Sequence, residues 1–96
     1  MGIISGVNPL ARIRLLAGTQ GAVVLGMHAR DEAMADDDVF REDVVHALAN
    51  ATDAIAQDDA GLKFKAYGPL LMGEAYAVVV NVHPDHLYVV TCHFPP

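Results

Sequence analysis

The chain has 96 residues, of which 53% are hydrophobic and 19% charged, and its formal net charge is −6 at pH 7. This length allows a single domain, residues 1–96, and the apolar content excludes a disordered chain. The acidic balance argues against a general nucleic-acid binder, because affinity for phosphates comes mainly from clustered Lys and Arg.

The location expected from the sequence is the cytoplasm, without a membrane partner. No apolar run reaches the roughly 18 residues that a membrane helix needs. Cys92 is the single cysteine and cannot form an internal disulfide, which fits a reducing compartment. The charge is unevenly distributed, with three arginines and no acid in residues 1–30 and ten acids in residues 31–59.

The first half of the chain carries mainly helical signals. Asn8 followed by Pro9 is a typical helix start, and apolar residues at helical spacing predict a helix over residues 9–17,. The compact apolar run Gly21–Met27 predicts a strand, and His28–Ala35 contains helix formers without a breaker,.

A second main helix is predicted over residues 39–56. Val44, Val45 and Leu48 share one face at helical spacing,. The run Asp36–Asp38 lies just before this segment and would cap its N-terminus with carboxylate oxygens,.

The last third of the chain predicts a three-stranded antiparallel meander. Residues 62–67 alternate between apolar and polar, and residues 74–83 and 86–94 form two strands joined at a tight turn,. The last two strands are apolar on both faces, so we expect helices over one face and a protein partner or a second copy over the other.

The sequence predicts neither a metal site nor a cofactor. The best candidates for metal ligands are His83 and His86, with His93 across the hairpin. Zinc sites normally need three or four ligands within coordination distance of one point. There is no glycine-rich phosphate loop between a strand and a helix, so a nucleotide cofactor is not expected.

The polar residues that remain suit metal-independent acid and base chemistry. Cleaving RNA through its own 2′-hydroxyl requires a base, an acid for the leaving oxygen and a cation for the phosphate. The residues predicted to supply these groups are His28, Arg30, Lys65, Tyr76 and His93. Each also has an ordinary structural interpretation: a polar first helical turn for His28, a solvated strand position for Lys65, packing for Tyr76 and an edge position for His93.

Several short segments, in their order along the chain, resemble a known group of proteins. These are His28-Ala29-Arg30, the helix centred on Asp43–Leu48, the Tyr67-Gly68-Pro69 corner, Gly73–Tyr76 and the ending Val89–Pro96. Over about residues 9–96 the chain resembles RelE-fold toxins of bacterial type II toxin–antitoxin pairs, in particular MqsR-type mRNA interferases and a related uncharacterised family. The resemblance implies an α+β fold, with two to three helices packed on a small antiparallel sheet in the order α-β-α-α-β-β-β.

The resemblance also implies site residues and partners. Tyr76 matches the family's tyrosine, whereas Ala56, Phe64 and Gly68 stand where the family has lysine, glutamine and arginine. By side-chain type alone, Lys63 or Lys65 would replace the missing cation, and His28 or His93 would supply the base. Such toxins are held by a cognate antitoxin, often one with a zinc-binding domain.

Three functions therefore remain open at this stage. The first is an RNA-cleaving toxin, a metal-independent endoribonuclease whose site residues share one positive concavity. The second is a catalytically silent module that binds a protein partner or forms a homodimer, with those residues scattered. The third is an acidic immunity or antitoxin-type inhibitor, which needs the carboxylates of residues 31–59 to form one exposed patch.

Overall fold

Three helices and five strands are present in the residues that the computed structural model describes, 8–96. They are α1 (Pro9–Ala17), β1 (Val23–Leu25), α2 (Met34–Asp37), α3 (Arg41–Ala49), β2 (Asp53–Ala56), β3 (Lys63–Pro69), β4 (Ala75–Val82) and β5 (Leu87–His93). A π-helical turn, Ala29–Ala33, leads directly into α2. The fold class is α+β, as predicted. Over these residues, none of the helices has the length and apolar character needed to cross a membrane.

Helix α1 begins and ends where the sequence predicts. The Asn8 side chain caps it, with Oδ1 accepting a hydrogen bond from the Leu10 amide at 2.9 Å, and Pro9 occupies the first turn, where its missing N–H costs nothing,. Ile13 and Leu16 are buried and attach the helix to the core.

The sheet has the strand order β1-β5-β4-β3-β2. The predicted antiparallel meander is confirmed as β3, β4 and β5. The sheet as a whole is mixed rather than antiparallel, because β1 pairs in parallel with β5. After β1 the chain passes through the helices and re-enters the sheet at β2, on the opposite edge. Parallel strands need a long crossover connection of this kind. The Gly26 amide extends this ladder by donating to the Val89 carbonyl at 2.8 Å.

The predicted helix over residues 39–56 is wrong in its second half. Helix α3 ends at Ala49, and Asp53–Ala56 form the edge strand β2, antiparallel to β3. Asn50, Thr52 and Asp53 have low helix propensity, and pairing with β3 satisfies backbone groups that a longer helix would have satisfied internally.

The acidic run Asp36–Asp38 closes one helix instead of opening the next. Asp36 and Asp37 belong to α2, and Asp38 adopts a left-handed conformation with φ 57° that ends this helix. The carboxylate near the N-terminus of α3 comes from Asp43, whose Oδ2 accepts a hydrogen bond from the Phe40 amide at 3.2 Å,.

One face of the sheet packs against the helices and forms the core. Its cross-strand rows are set by the register, for example Phe64 opposite Val80 and Ala66 opposite Val78. Together with Val44 and Leu48 of α3, these side chains belong to one buried cluster. Gly68 also faces this side, and the backbone of α3 approaches so closely that a Cβ there would collide with a main-chain carbonyl oxygen.

The second face of the sheet points away from this core. Its members follow from the register and are Val24, Asp53, Ile55, Lys63, Lys65, Tyr67, Pro69, Ala75, Ala77, Val79, Asn81, Tyr88, Thr91 and His93. Ala77 and Val79 are buried but lie outside the core cluster, whereas Ile55 is 53% and Tyr88 38% exposed. The second face therefore has an apolar centre and partly exposed margins.

Candidate functional site

Two of the five predicted site residues, Lys65 and His93, lie on the second face. Lys65 is in register with Val79 of β4, and His93 with Ala77 two residues away on the same strand. Residues two apart on a strand point to the same side, so the sheet register brings Lys65 and His93 to one surface.

Tyr76 lies on the opposite, helix-covered face. Its side chain is completely buried, and its hydroxyl lies 2.7 Å from Asp37 Oδ2 and 3.2 Å from Cys92 Sγ. Burial, together with these two hydrogen bonds, raises the pKa of Tyr76 far above its ordinary value. Tyr76 is therefore separated from Lys65 and His93 by the sheet itself.

His28 and Arg30 lie on the surface beyond the end of β1. The His28 Nδ1 atom lies 3.3 Å from Glu32 Oε2, one helical turn further on, and Arg30 Nε donates to Asp31 at 2.8 Å. The hydrogen bond from Arg30 lowers the pKa of the Asp31 carboxyl. Both basic side chains are thus engaged with adjacent acids, and the five predicted residues do not form one site.

The second face brings together cations and aromatic rings from β3 and β5. It carries both lysines of the chain, Lys63 and Lys65, and two of its three tyrosines, Tyr67 and Tyr88. Among residues 8–96, Asp53 is the single acid whose register places it on this face. This surface is therefore much less acidic than the molecule as a whole.

Tyr67 and Tyr88 are the residues that sequence reasoning did not include in the predicted site. Tyr67 is in register with Ala77, which is in register with His93. Tyr67 and His93 therefore flank one small residue, with their backbones about 10 Å apart across two strand spacings. The alternation along β3 gave the orientation of Tyr67, but the pairing that places it opposite His93 is not visible in the sequence.

The His93 ring is held by a main-chain acceptor. Its Nδ1 lies 2.9 Å from the Phe94 carbonyl oxygen. A carbonyl oxygen only accepts, so Nδ1 carries the proton and Nε2 of the neutral ring presents a lone pair. This tautomer leaves Nε2 as the nitrogen that could act as a general base.

The carboxylates of residues 31–59 are used at several separate places. Asp31 pairs with Arg30, Asp37 accepts from Tyr76, and Asp43 accepts from the Phe40 and Leu71 amides. Asp58 Oδ1 accepts from three backbone amides in the turn between β2 and β3. These four acids hold local structure in four different places.

No group of three or more His, Cys, Asp and Glu side chains suited to a metal ion occurs in the described part of the chain. His83 and His86 stack with ring centroids 4.3 Å apart, and His86 Nδ1 lies 2.7 Å from Asp85. This hydrogen bond lowers the pKa of the Asp85 carboxyl. The pair therefore forms a polar hairpin tip.

Comparison with known proteins gave no match to a family model, to a curated protein or to a solved structure.

Proposed function

We propose that this protein binds single-stranded RNA on the second face of its sheet and cleaves it without a metal, as a toxin of a toxin–antitoxin pair with a RelE-like fold. The observation that carries the proposal is the collection of Lys63, Lys65, Tyr67, Tyr88 and His93 on one face of an otherwise acidic protein. A cognate antitoxin would be the partner that covers this face when the toxin is silent.

Single-stranded RNA fits this surface better than a duplex does. Sheet faces that bind single strands combine a basic track for the backbone with aromatic rings on which bases stack. Lys63 and Lys65 point to the same side of β3 and would contact successive phosphates. Tyr67 follows Lys65 on β3, and Tyr88 lies two strands across from Lys63, so both are at positions where unpaired bases could stack.

Cleavage would use Tyr67 and His93, which flank Ala77, together with Lys65, which lies two residues from Tyr67 on β3. His93 Nε2 takes the proton of a 2′-hydroxyl, whose oxygen then attacks the adjacent phosphorus. Lys65 neutralises the charge that develops on the non-bridging oxygens. The bond to the 5′ oxygen breaks, and the Tyr67 hydroxyl protonates that oxygen, leaving a 2′,3′-cyclic phosphate and a 5′-hydroxyl.

A second candidate function is a catalytically silent protein-binding module. It is favoured by the exposed apolar side chains Val24 and Ile55, which lie at the two edges of the second face. Exposed apolar area of this kind is typical of surfaces that bind another protein. Tight self-association without RNA binding would identify this function.

RNA binding is tested by the anisotropy of a labelled single-stranded RNA at several salt concentrations. Lys65→Gln should weaken binding and reduce the slope of log affinity against log salt by about 0.7, because one phosphate contact is lost. Arg12→Gln removes the same charge from the helix side, where Arg12 donates to Pro84, and should leave the slope unchanged. Equal effects of the two variants would contradict the proposed surface.

Cleavage is tested with the same RNA in a chelator by analysing the ends of the products. His93→Gln should abolish the cyclic phosphate product while RNA binding persists. His83→Gln, at the hairpin tip, is the matched control and should cleave normally. Binding without cleavage by the wild type would leave an RNA-binding module, and neither binding nor cleavage would refute the proposed function.

A further inference from the structure

A groove of about 630 Å³ lies on the helix side of the molecule, away from the second face. One wall is the outward surface of α3, and the other is the segment from the end of α1 to β1. Its volume falls within the range of about 300–1,000 Å³ that is common for small-molecule sites.

Helix α3 presents two parallel rows of side chains to this groove. Glu42, His46 and Asn50 recur every four residues, as do Arg41, Val45 and Ala49, and all six line the groove. Successive members of each row are about 6 Å apart along the helix axis. One row is polar throughout, and the other has a cation at its start followed by apolar surface.

Three polar side chains of the groove donate a hydrogen bond within the protein. His46 Nδ1 donates to the Pro69 carbonyl at 2.9 Å, Asn50 Nδ2 to the His46 carbonyl at 3.0 Å, and Thr19 Oγ1 to the Leu15 carbonyl at 2.8 Å. His46 Nε2, Asn50 Oδ1 and the Thr19 oxygen therefore remain as acceptors, and Glu42 lines the same groove. An ammonium group, which has three donors and no acceptor, is the complement of such a set.

Arg41 supplies the opposite charge at the same end of the groove. Its NH2 atom donates to the Val23 carbonyl at 2.8 Å, which fixes the guanidinium against β1. The other N–H groups of its planar fork remain to bind a carboxylate. Arg41 and Glu42 are the first members of the two rows, so a cation and an anion both line this end of the groove.

From this arrangement we propose that the groove binds a free α-amino acid with an aliphatic side chain. The ammonium group is held by Glu42 and His46, the carboxylate by Arg41, and the side chain lies along Val45 and Ala49. This site is independent of the RNA-binding face and does not rest on it.

The test compares three probes of similar shape by amide correlation spectra of the intact protein. L-leucine carries both charges, 4-methylpentanoate lacks the ammonium group and isoamylamine lacks the carboxylate. Leucine should give saturable shifts at Thr19, Val45 and His46, with an affinity about tenfold higher than that of either analogue. Equal affinities for the three probes, or no saturable shifts with leucine, would overturn the proposal.

Two variants assign the charges. Glu42→Gln should weaken leucine and isoamylamine but not 4-methylpentanoate, whereas Arg41→Gln should weaken leucine and 4-methylpentanoate but not isoamylamine. Because Arg41 also holds β1, the exposed Glu42 gives the decisive variant. Glu32→Gln removes the same charge outside the groove and should leave all three affinities unchanged. An equal loss of leucine binding in Glu32→Gln and Glu42→Gln would refute the site.

Discussion

Replacing Tyr76 by phenylalanine separates a structural role of this residue from a catalytic one. The substitution keeps the buried ring, which meets Phe94 edge to face with centroids 4.9 Å apart, and removes only the hydroxyl. That hydroxyl connects β4 to Asp37 at the end of α2 and to Cys92 of β5. We expect the variant to be less stable because this connection is lost.

The expected loss follows from the kind of hydrogen bond. A bond to a charged acceptor contributes about 1.5–3 kcal/mol to stability, and Asp37 Oδ2 lies at the short distance of 2.7 Å. Asp37 is only half-buried, so its carboxylate regains water when the hydroxyl is removed. We therefore expect Tyr76→Phe to lower the free energy of unfolding by about 1.5–2 kcal/mol, at the lower end of that range.

Urea denaturation of Tyr76→Phe, Asp37→Ala and the double variant measures this bond directly. The losses of unfolding free energy in the two single variants should add up to about 1 kcal/mol or more above the loss in the double variant. The reason is that both single substitutions remove the same contact. Tyr88→Phe, which changes a partly exposed ring on the second face, should stay within about 0.5 kcal/mol of the wild type. Additive single losses would refute the reasoning, as would a Tyr76→Phe variant that is fully stable yet inactive on RNA.

The same geometry gives three further predictions. Burial and the two hydrogen bonds raise the pKa of Tyr76. Its contribution to the free energy of unfolding is therefore complete below about pH 10 and falls by up to about 1.4 kcal/mol per pH unit above it. Unfolding free energies of wild type and Tyr76→Phe, measured against pH, should differ by this slope, and parallel curves would contradict it. Gly68→Ala would drive a Cβ into the Ala47 carbonyl and should lower the free energy of unfolding by at least about 3 kcal/mol. Gly73 lies in open space but has φ +97°, so Gly73→Ala should lower it by about 1 kcal/mol. Similar urea midpoints for the two variants would contradict this. Asp43→Ala removes two hydrogen bonds to backbone amides and should cost about 1–2 kcal/mol by urea denaturation, and no loss would show that these bonds contribute nothing.

Elements with strong local signals were predictable from the sequence. Asn8 and Pro9 fix the start of α1 through chemistry that lies within four residues, and the alternation along β3 appears unchanged in its burial pattern. The tight turn His83–His86 likewise joins β4 to β5 as expected. In each case the deciding interactions are local, so the sequence carries the information.

The end of α3 was not predictable in the same way. Residues 50–56 have an apolar pattern that suits either a helix or an edge strand, and what decides between them is a partner strand, β3, which is found later in the chain. The first pairing is that of Asp53 with Tyr67. The Arg14 side chain also stabilises the end of the helix, because its Nε donates to the Ala51 carbonyl at 2.7 Å. Both contacts are long-range in sequence.

Within the predicted site, the alternation of side chains along β4 separates Tyr76 from Lys65 and His93. Tyr76 and Ala77 are neighbours in sequence, yet they face opposite sides of the sheet, and the register places His93 opposite Ala77. Side-chain type identified groups able to act on RNA, but the alignment of β3, β4 and β5 decides which of them meet. Lys65 shares the parity of His93, and Tyr76 does not.

Four of the histidines differ in the hydrogen-bond partner of Nδ1, a difference that the sequence does not show. His28 and His86 direct Nδ1 at exposed carboxylates, Glu32 and Asp85, which can rotate away. His46 and His93 instead direct Nδ1 at main-chain carbonyls. A carbonyl held in the backbone neither titrates nor moves independently, so it fixes both the tautomer and the ring orientation. Binding or catalysis through Nε2 is therefore expected of the second pair, and one member lies on each of the two proposed sites.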